Sequence, residues 1–325
     1  MFKKFVTITL GVALGLSACS SPSSGQEADV RLKLPLGYIP NVQFAPMYVA
    51  IEKGFFDHQG LEVTLEHNVR ETDAAALLGA NELQFAVISG EQVLLARAQG
   101  LPLVYVAAWY QKYPVSVVAK TSQGIAAPVD LKGKRIGLPG LYGANYIGLE
   151  ALLASANLSD ADVSLDSIGF TQVEALATDQ EEAIVGYAAN EPIQLRARGY
   201  EVTELRVADF VQLASNGLVT NEKTLAENPA LVQRMTAAFL DGLKYTIEHP
   251  DEAYEISKKY VENLGEADEA TQKQVLAVSI SFWQAERLGY SQPAAWENMQ
   301  EVLLKMGLLS TPQPLDKAFT NQFIP

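Results

Sequence analysis

Gly37-Tyr-Ile-Pro-Asn-Val-Gln-Phe-Ala-Pro-Met-Tyr-Val-Ala50 links a strand pattern to a helix pattern. Just before it, Leu32, Leu34 and Leu36 alternate with Arg31, Lys33 and Pro35, the period-two pattern of a strand. Within and after it, Met47, Ala50 and Ile51 fall at helical spacing, and Gly54 supplies a C-terminal stop. Phe55 and Phe56 should pin that helix end, and Leu61, Val63 and Leu65 alternate as a second strand. Strand, loop, helix and strand make a βαβ unit. Its first loop lies outside the carboxyl end of the first strand, where open α/β sheets gather ligands. Tyr38, Asn41, Gln43 and Phe44 on that loop are two aromatics and two amides without a charge. An ordinary connection with packed aromatics is the simpler alternative for the same residues.

Upstream, residues 1–19 read as a leader. Lys3 and Lys4 give it a positive start, and Phe5 to Leu16 is apolar but short for a membrane span. It ends in Leu16-Ser-Ala-Cys19, the small-residue pattern before a cysteine at which bacterial lipoproteins receive diacylglycerol. Cys19 is the single cysteine of the chain, so lipidation is expected there and no intramolecular disulfide can form. Residues 20–30 are Ser-, Pro- and Gly-containing and polar, a flexible tether. The chain as a whole carries a formal charge of −14, and loss of Lys3 and Lys4 with the leader takes it to −16. Such acidity leaves no electrostatic footprint for nucleic acid.

Downstream the βα rhythm continues over a chain long enough for two cored lobes, with 48% hydrophobic residues. Asp73 reads as the cap of a helix bearing Ala74, Leu77 and Leu78, followed by a strand from Leu83 to Ile88. Ser89-Gly90-Glu91 opens a helix that runs to Gly100, and its N-terminus should offer free N–H groups. Leu103 to Ala108 is a strand apolar on both faces, and Trp109 and Tyr110 end it. A second βα series begins near Asp130 and includes the loop Pro139–Gly143 and a helix with Tyr146, Leu149 and Leu153 on one face. The remainder reads as helices, with core stripes at Val232, Met235, Phe239 and Leu243, and at Trp296, Met299, Leu303 and Met306.

Enzyme signatures are missing. The sequence holds no H-E-x-x-H, G-x-S-x-G or G-x-G-x-x-G, and Gly137, Gly140 and Gly143 have the wrong spacing for a dinucleotide loop. His58, His67 and His249 are scattered and read as surface or helix-end residues, so no metal site is expected. What stands out is a set of polar and aromatic residues on loops after strands: Tyr38, Asn41 and Phe44; Ser89 and Glu91; and Trp109. Across a cleft, Tyr142 and Asn145 open one helix, while Tyr187, Asn190 and Glu191 end a strand. Aromatic faces edged by amides and carboxylates suit a flat, uncharged, nitrogen-bearing ring. Any one of these residues equally suits loop packing; it is their clustering that points to a ligand.

The same opening, Gly37 to Phe56 and then Gly60-Leu-Glu-Val63, resembles the start of substrate-binding proteins of ABC importers. More narrowly it resembles the family that serves nitrate, sulfonates, taurine and the thiamin pyrimidine precursor. Glu91 to Gly100, Asp130 to Gly137 and Asn190 to Leu195 carry the likeness further along the chain. The resemblance implies a type II periplasmic binding protein: two α/β lobes joined by two crossovers, with the ligand cleft between them. Residues 31–120 and 215–325 would form the first lobe and 121–214 the second, with crossovers near Val118 to Ser122 and Leu213 to Thr220. It further implies a monomer that works with a membrane permease and an ATPase, is held to the extracytoplasmic face of the cell membrane by lipid alone, and needs no cofactor. Anion-binding branches need cations in the cleft. Here Arg70 is the one cation on a plausible cleft loop, and Glu91 would oppose an anion. Among the heteroaromatic branches, the form of the first loop is most similar to riboflavin-binding members, with a thiamin pyrimidine precursor as the alternative. Biosynthetic enzymes of the same fold, the fungal pyrimidine synthases, carry a cysteine-rich motif that this chain lacks. A membrane-kinase sensor lobe would need a transmembrane segment, and no later run reaches that length.

Overall fold

Leu32, Leu34 and Leu36 are buried and Arg31 and Lys33 exposed, as the alternation requires, in a computed structural model that describes residues 1–2 and 30–325. The strands of the described residues are β1 (Val30–Pro35), β2 (Leu61–Glu66), β3 (Ala86–Ile88), β4 (Leu103–Ala108), β5 (Val115–Lys120), β6 (Arg135–Leu138), β7 (Ser164–Ser167), β8 (Ala183–Tyr187), β9 (Val202–Arg206) and β10 (Gly217–Asn221). β1 and β2 pair in parallel, with Arg31 opposite Glu62 and bonded to it at 2.8 Å. The parallel bridge Leu36–Val87 sets β1 beside β3, and β10 runs antiparallel between β3 and β4. The first lobe therefore reads β2-β1-β3-β10-β4. The second reads β7-β6-β8-β5-β9, again with one antiparallel strand, β5, in the fourth position.

Each sheet thus takes its antiparallel strand from a chain that has just crossed from the other lobe. This is the two-lobe, two-crossover α/β architecture of the periplasmic binding proteins. One boundary moves. Val115–Lys120 pairs with β8 and β9, so the first crossing is Trp109–Pro114 rather than Val118 to Ser122. The second crossing lies between Arg206 and Gly217. A nearly continuous apolar strand looks the same in sequence whichever sheet it joins, and only pairing decides.

The helix Ala45–Glu52 is buried from Ala45 through Ala50, because the helix Pro229–Glu248 lies along it. The two approach so closely at Gly242 that a Cβ there would sit 2.4 Å from the Pro46 carbonyl oxygen. Gly54 adopts φ +70°, a left-handed conformation that costs glycine nothing, and turns the chain into Phe55–His58. The expected stripe Val232, Met235, Phe239 and Leu243 is buried, and the Asn228 side chain caps its helix by accepting from Leu231 N at 3.0 Å. Arg70, not Asp73, occupies the cap position of helix Glu71–Gly79, and Asp73 lies in its first turn. The C-terminal part is not confined to the first lobe. Helix Pro293–Lys305 contacts both Gly90–Ala98 of the first lobe and Gly143–Ser155 of the second. Among the described residues no helix is long and apolar enough to cross a membrane. Cys19 and the tether, except Val30, lie outside the described residues.

Candidate functional site

The loop after β1 folds onto itself first. Asn41 is a helix cap, its Oδ1 accepting from Gln43 N at 3.0 Å, so that oxygen is committed to the backbone. Phe44 is buried, with its ring 5.5 Å from Trp109 and 5.0 Å from the edge-on ring of His67. His67 is half-buried rather than a surface residue: it bonds the Tyr48 hydroxyl and the Tyr38 carbonyl, each at 3.1 Å. Burial holds its imidazole below the usual range, so it stays neutral.

From Trp109 an aromatic wall continues. Tyr110 is 4.9 Å and Trp283 5.7 Å away, and Tyr110 stands edge-on to Tyr187 of the second lobe at 6.5 Å. Trp283 ends the helix Glu269–Trp283, some 170 residues downstream of Trp109, and no local pattern announces its place here. At the other side of the cleft Tyr38 meets Phe170 of the second lobe edge-on, at 5.7 Å. Phe44, Trp109, Tyr110 and Tyr187, all singled out from the sequence, thus form one chain of ring contacts together with His67 and Trp283, which were not, while Tyr38 and Phe170 form a second pair.

The floor is acidic and unevenly satisfied. Glu71 accepts from Ser89 N at 3.1 Å, Ser89 Oγ at 2.5 Å and Asn216 Nδ2 at 3.2 Å. The helix N-terminus at Ser89 is therefore not open: Glu71 takes the Ser89 N–H, and the Ser215 carbonyl takes that of Gly90. Asn216 also lies 3.5 Å from the Tyr187 hydroxyl, linking the two lobes. Glu91 is fully buried, and neither of its carboxyl oxygens has a partner. Burial and the nearby Glu71 carboxylate push its pKa up to about 8. Gln43 Nε2, Trp109 Nε1, Trp283 Nε1 and Asn145 Oδ1 are likewise buried without partners. A buried polar atom left unpaired costs about 1–3 kcal/mol, so each of these atoms keeps the capacity for a further bond.

Other residues singled out in the sequence are already occupied. Glu191 accepts from Tyr187 N at 2.7 Å and Asn190 Nδ2 at 3.0 Å, and Asn190 accepts from Gln194 at 2.8 Å. Tyr142 is 73% exposed and lies over its own loop at Gly140, apart from the aromatic wall. Arg70 is spent on the surface, where Nε and Nη2 bond Asp73 at 2.9 and 3.0 Å. Among the described residues no cluster of three or more His, Cys, Asp or Glu could hold a metal ion. A small cavity of about 20 Å³, lined by Tyr105, Tyr110, Gln111, Ser215, Ser291 and Trp296, lies beside β4 at the crossings.

The NMT1/THI5 like family matches residues 41–253. The chain is 39% identical to riboflavin-binding protein RibY of Chloroflexus aurantiacus, over 99% of this chain and 98% of that protein. It is 27% identical to the formylaminopyrimidine-binding protein of Halalkalibacterium halodurans, over 78% and 77% respectively. Among solved structures, the alkanesulfonate-binding protein SsuA of Xanthomonas axonopodis pv. citri, bound to MOPS, superposes with a TM-score of 0.70. It is 15% identical and covers 90% of this chain and 99% of its own. All three carry binding-protein names, and the last shares the fold. The chain belongs to the NMT1/THI5 like family, built on the two-lobe fold of the periplasmic binding proteins.

Proposed function

We propose that this chain is the extracytoplasmic substrate-binding component of an ABC importer and that it captures riboflavin for delivery to a membrane permease and its ATPase. The observation that carries the reading is the 39% identity, end to end, with a riboflavin-binding protein. The cleft supports it. A three-ring isoalloxazine presents a broad flat face to the wall of Phe44, Trp109, Tyr110 and Trp283. Its heteroatom edge can meet Glu91, Gln43 and Asn145, the groups left unpaired. Stacking on an aromatic ring contributes roughly 1–3 kcal/mol. Contact with both lobes favours the closed arrangement by its differential affinity. Lipid attachment at Cys19, and with it the membrane location, belongs to the same proposal.

The second reading, an aminopyrimidine ligand, is favoured by the 27% relative. Flavin fluorescence separates the two. Riboflavin added to the protein should be quenched by the indole and phenol rings and give a saturable titration. Its 5′-phosphate should bind about tenfold or more weakly, because Arg70, the cation expected at the cleft, is tied to Asp73. Unchanged flavin fluorescence, together with a melting temperature raised by an aminopyrimidine, would replace riboflavin by the pyrimidine.

A further inference from the structure

We propose that Glu91 reads the ligand as a neutral carboxylic acid, donating one hydrogen bond to a ring carbonyl and accepting another from the adjacent N–H of a cyclic imide. The proposal rests on the flavin reading above and adds which edge is recognised and in which protonation state.

Two carboxyls share the cleft floor, and their surroundings divide one proton between them. Burial raises the pKa of both carboxyls, but at Glu71 three donors, Ser89 N, Ser89 Oγ and Asn216 Nδ2, work against that rise and favour its charged form over that of Glu91. Glu91 has no partner in hydrogen-bond geometry, with only the Ser89 hydroxyl and its own backbone N–H near enough to favour its charged form; it is fully shielded from water and sits within the field of Glu71. The groups around it are Glu71 on its helix, Tyr105 on β4, Tyr113 on the first crossing and Tyr187 on β8. The Tyr105 hydroxyl donates to the Ser215 carbonyl and that of Tyr113 to the Ala144 carbonyl, so neither donates to Glu91. No cation acts on Glu91 among the described residues. Like charges in a site of this kind do not both ionise, and the unsupported member takes the proton.

A protonated carboxyl carries one donor and one free acceptor side by side. That pair matches the carbonyl and neighbouring N–H of an imide ring in a two-bond cycle. An ionised Glu91 offers acceptors alone, loses the bond to the carbonyl and repels Glu71. Because its pKa lies at about 8, ligand affinity is highest below that pH and falls above it.

The test is the dissociation constant of riboflavin, by flavin fluorescence, from about pH 6 to about pH 9 for wild type and Glu91→Gln. The amide of Gln keeps a donor and an acceptor but cannot ionise. Wild type should weaken by up to about tenfold per pH unit above the pKa, while Glu91→Gln stays level whatever its affinity at neutral pH. Riboflavin methylated on the imide nitrogen should bind wild type about tenfold or more weakly. Parallel pH profiles for the two proteins, or equal binding of the methylated ligand, overturn the proposal. If neither protein binds riboflavin at any pH, the flavin reading fails instead. Melting temperature against pH, without ligand, then judges the proton. It should fall more steeply towards high pH in wild type than in Glu91→Gln, and equal slopes would reject a neutral Glu91.

Discussion

The two lobes share one strand order and use it differently. In the first lobe, the residues after β1 and β4 are driven inward: Phe44 and Trp109 are each under 10% exposed and lean on Trp283 from the distant C-terminal region. In the second, the loops after β6 and β7 hold their aromatics out. Tyr142 is 73% exposed and Phe170 71%. The polar atoms divide the same way. Most of the orphans along the cleft (Gln43, Glu91, Trp109, Trp283) belong to the first lobe and its C-terminal helices, whereas Asn190 and Glu191 of the second satisfy one another. In the proposed reading, the buried wall of the first lobe recognises the ring and the exposed aromatics of the second retain it.

The largest effect should come from breaking the wall. Trp109→Ala removes a buried indole packed on three rings and should lower unfolding free energy by about 3–5 kcal/mol in urea titration. It should also weaken riboflavin binding by roughly tenfold to a hundredfold. Tyr142→Ala, its counterpart on the rim, should change stability by less than about 0.5 kcal/mol. Equal losses from the two would erase the distinction between wall and rim.

A smaller effect is expected at the mouth. Tyr38 and Phe170 meet edge-on across the cleft, a contact worth about 0.5–1.5 kcal/mol. Phe170→Ala should therefore speed riboflavin release by about twofold to tenfold in stopped-flow fluorescence, with the association rate little changed. A slower association with unchanged release would place Phe170 in recognition rather than retention.

How much of this was legible follows from the range of each signal. The βαβ opening was readable because Leu32, Leu34, Leu36 and Gly54 act locally, through alternation and a positive φ. Phe44 and Trp109 could be singled out because a loop after a strand is a local feature as well. Glu71, Asn216, His67 and Trp283 could not. Asn216 reaches Glu71 across 145 residues of sequence, and nothing near either residue announces the bond. Trp283 sits on a helix whose apolar face reads as ordinary core. The first crossing was misplaced because Val115 to Ala119 is buried throughout and its apolar run names no sheet. Helix Pro293–Lys305 carried a clear stripe at Trp296, Met299 and Leu303, but a stripe does not say that two lobes share it.

In the proposed complex the first-lobe wall holds the ring and reads its edge. A crystal structure with riboflavin tests it most directly. The isoalloxazine should lie against the Trp109–Tyr110–Trp283 wall, its imide edge within hydrogen-bond distance of Glu91 and the second-lobe aromatics over its outer face. A flavin held by second-lobe side chains alone, with Glu91 still unpartnered, would contradict it.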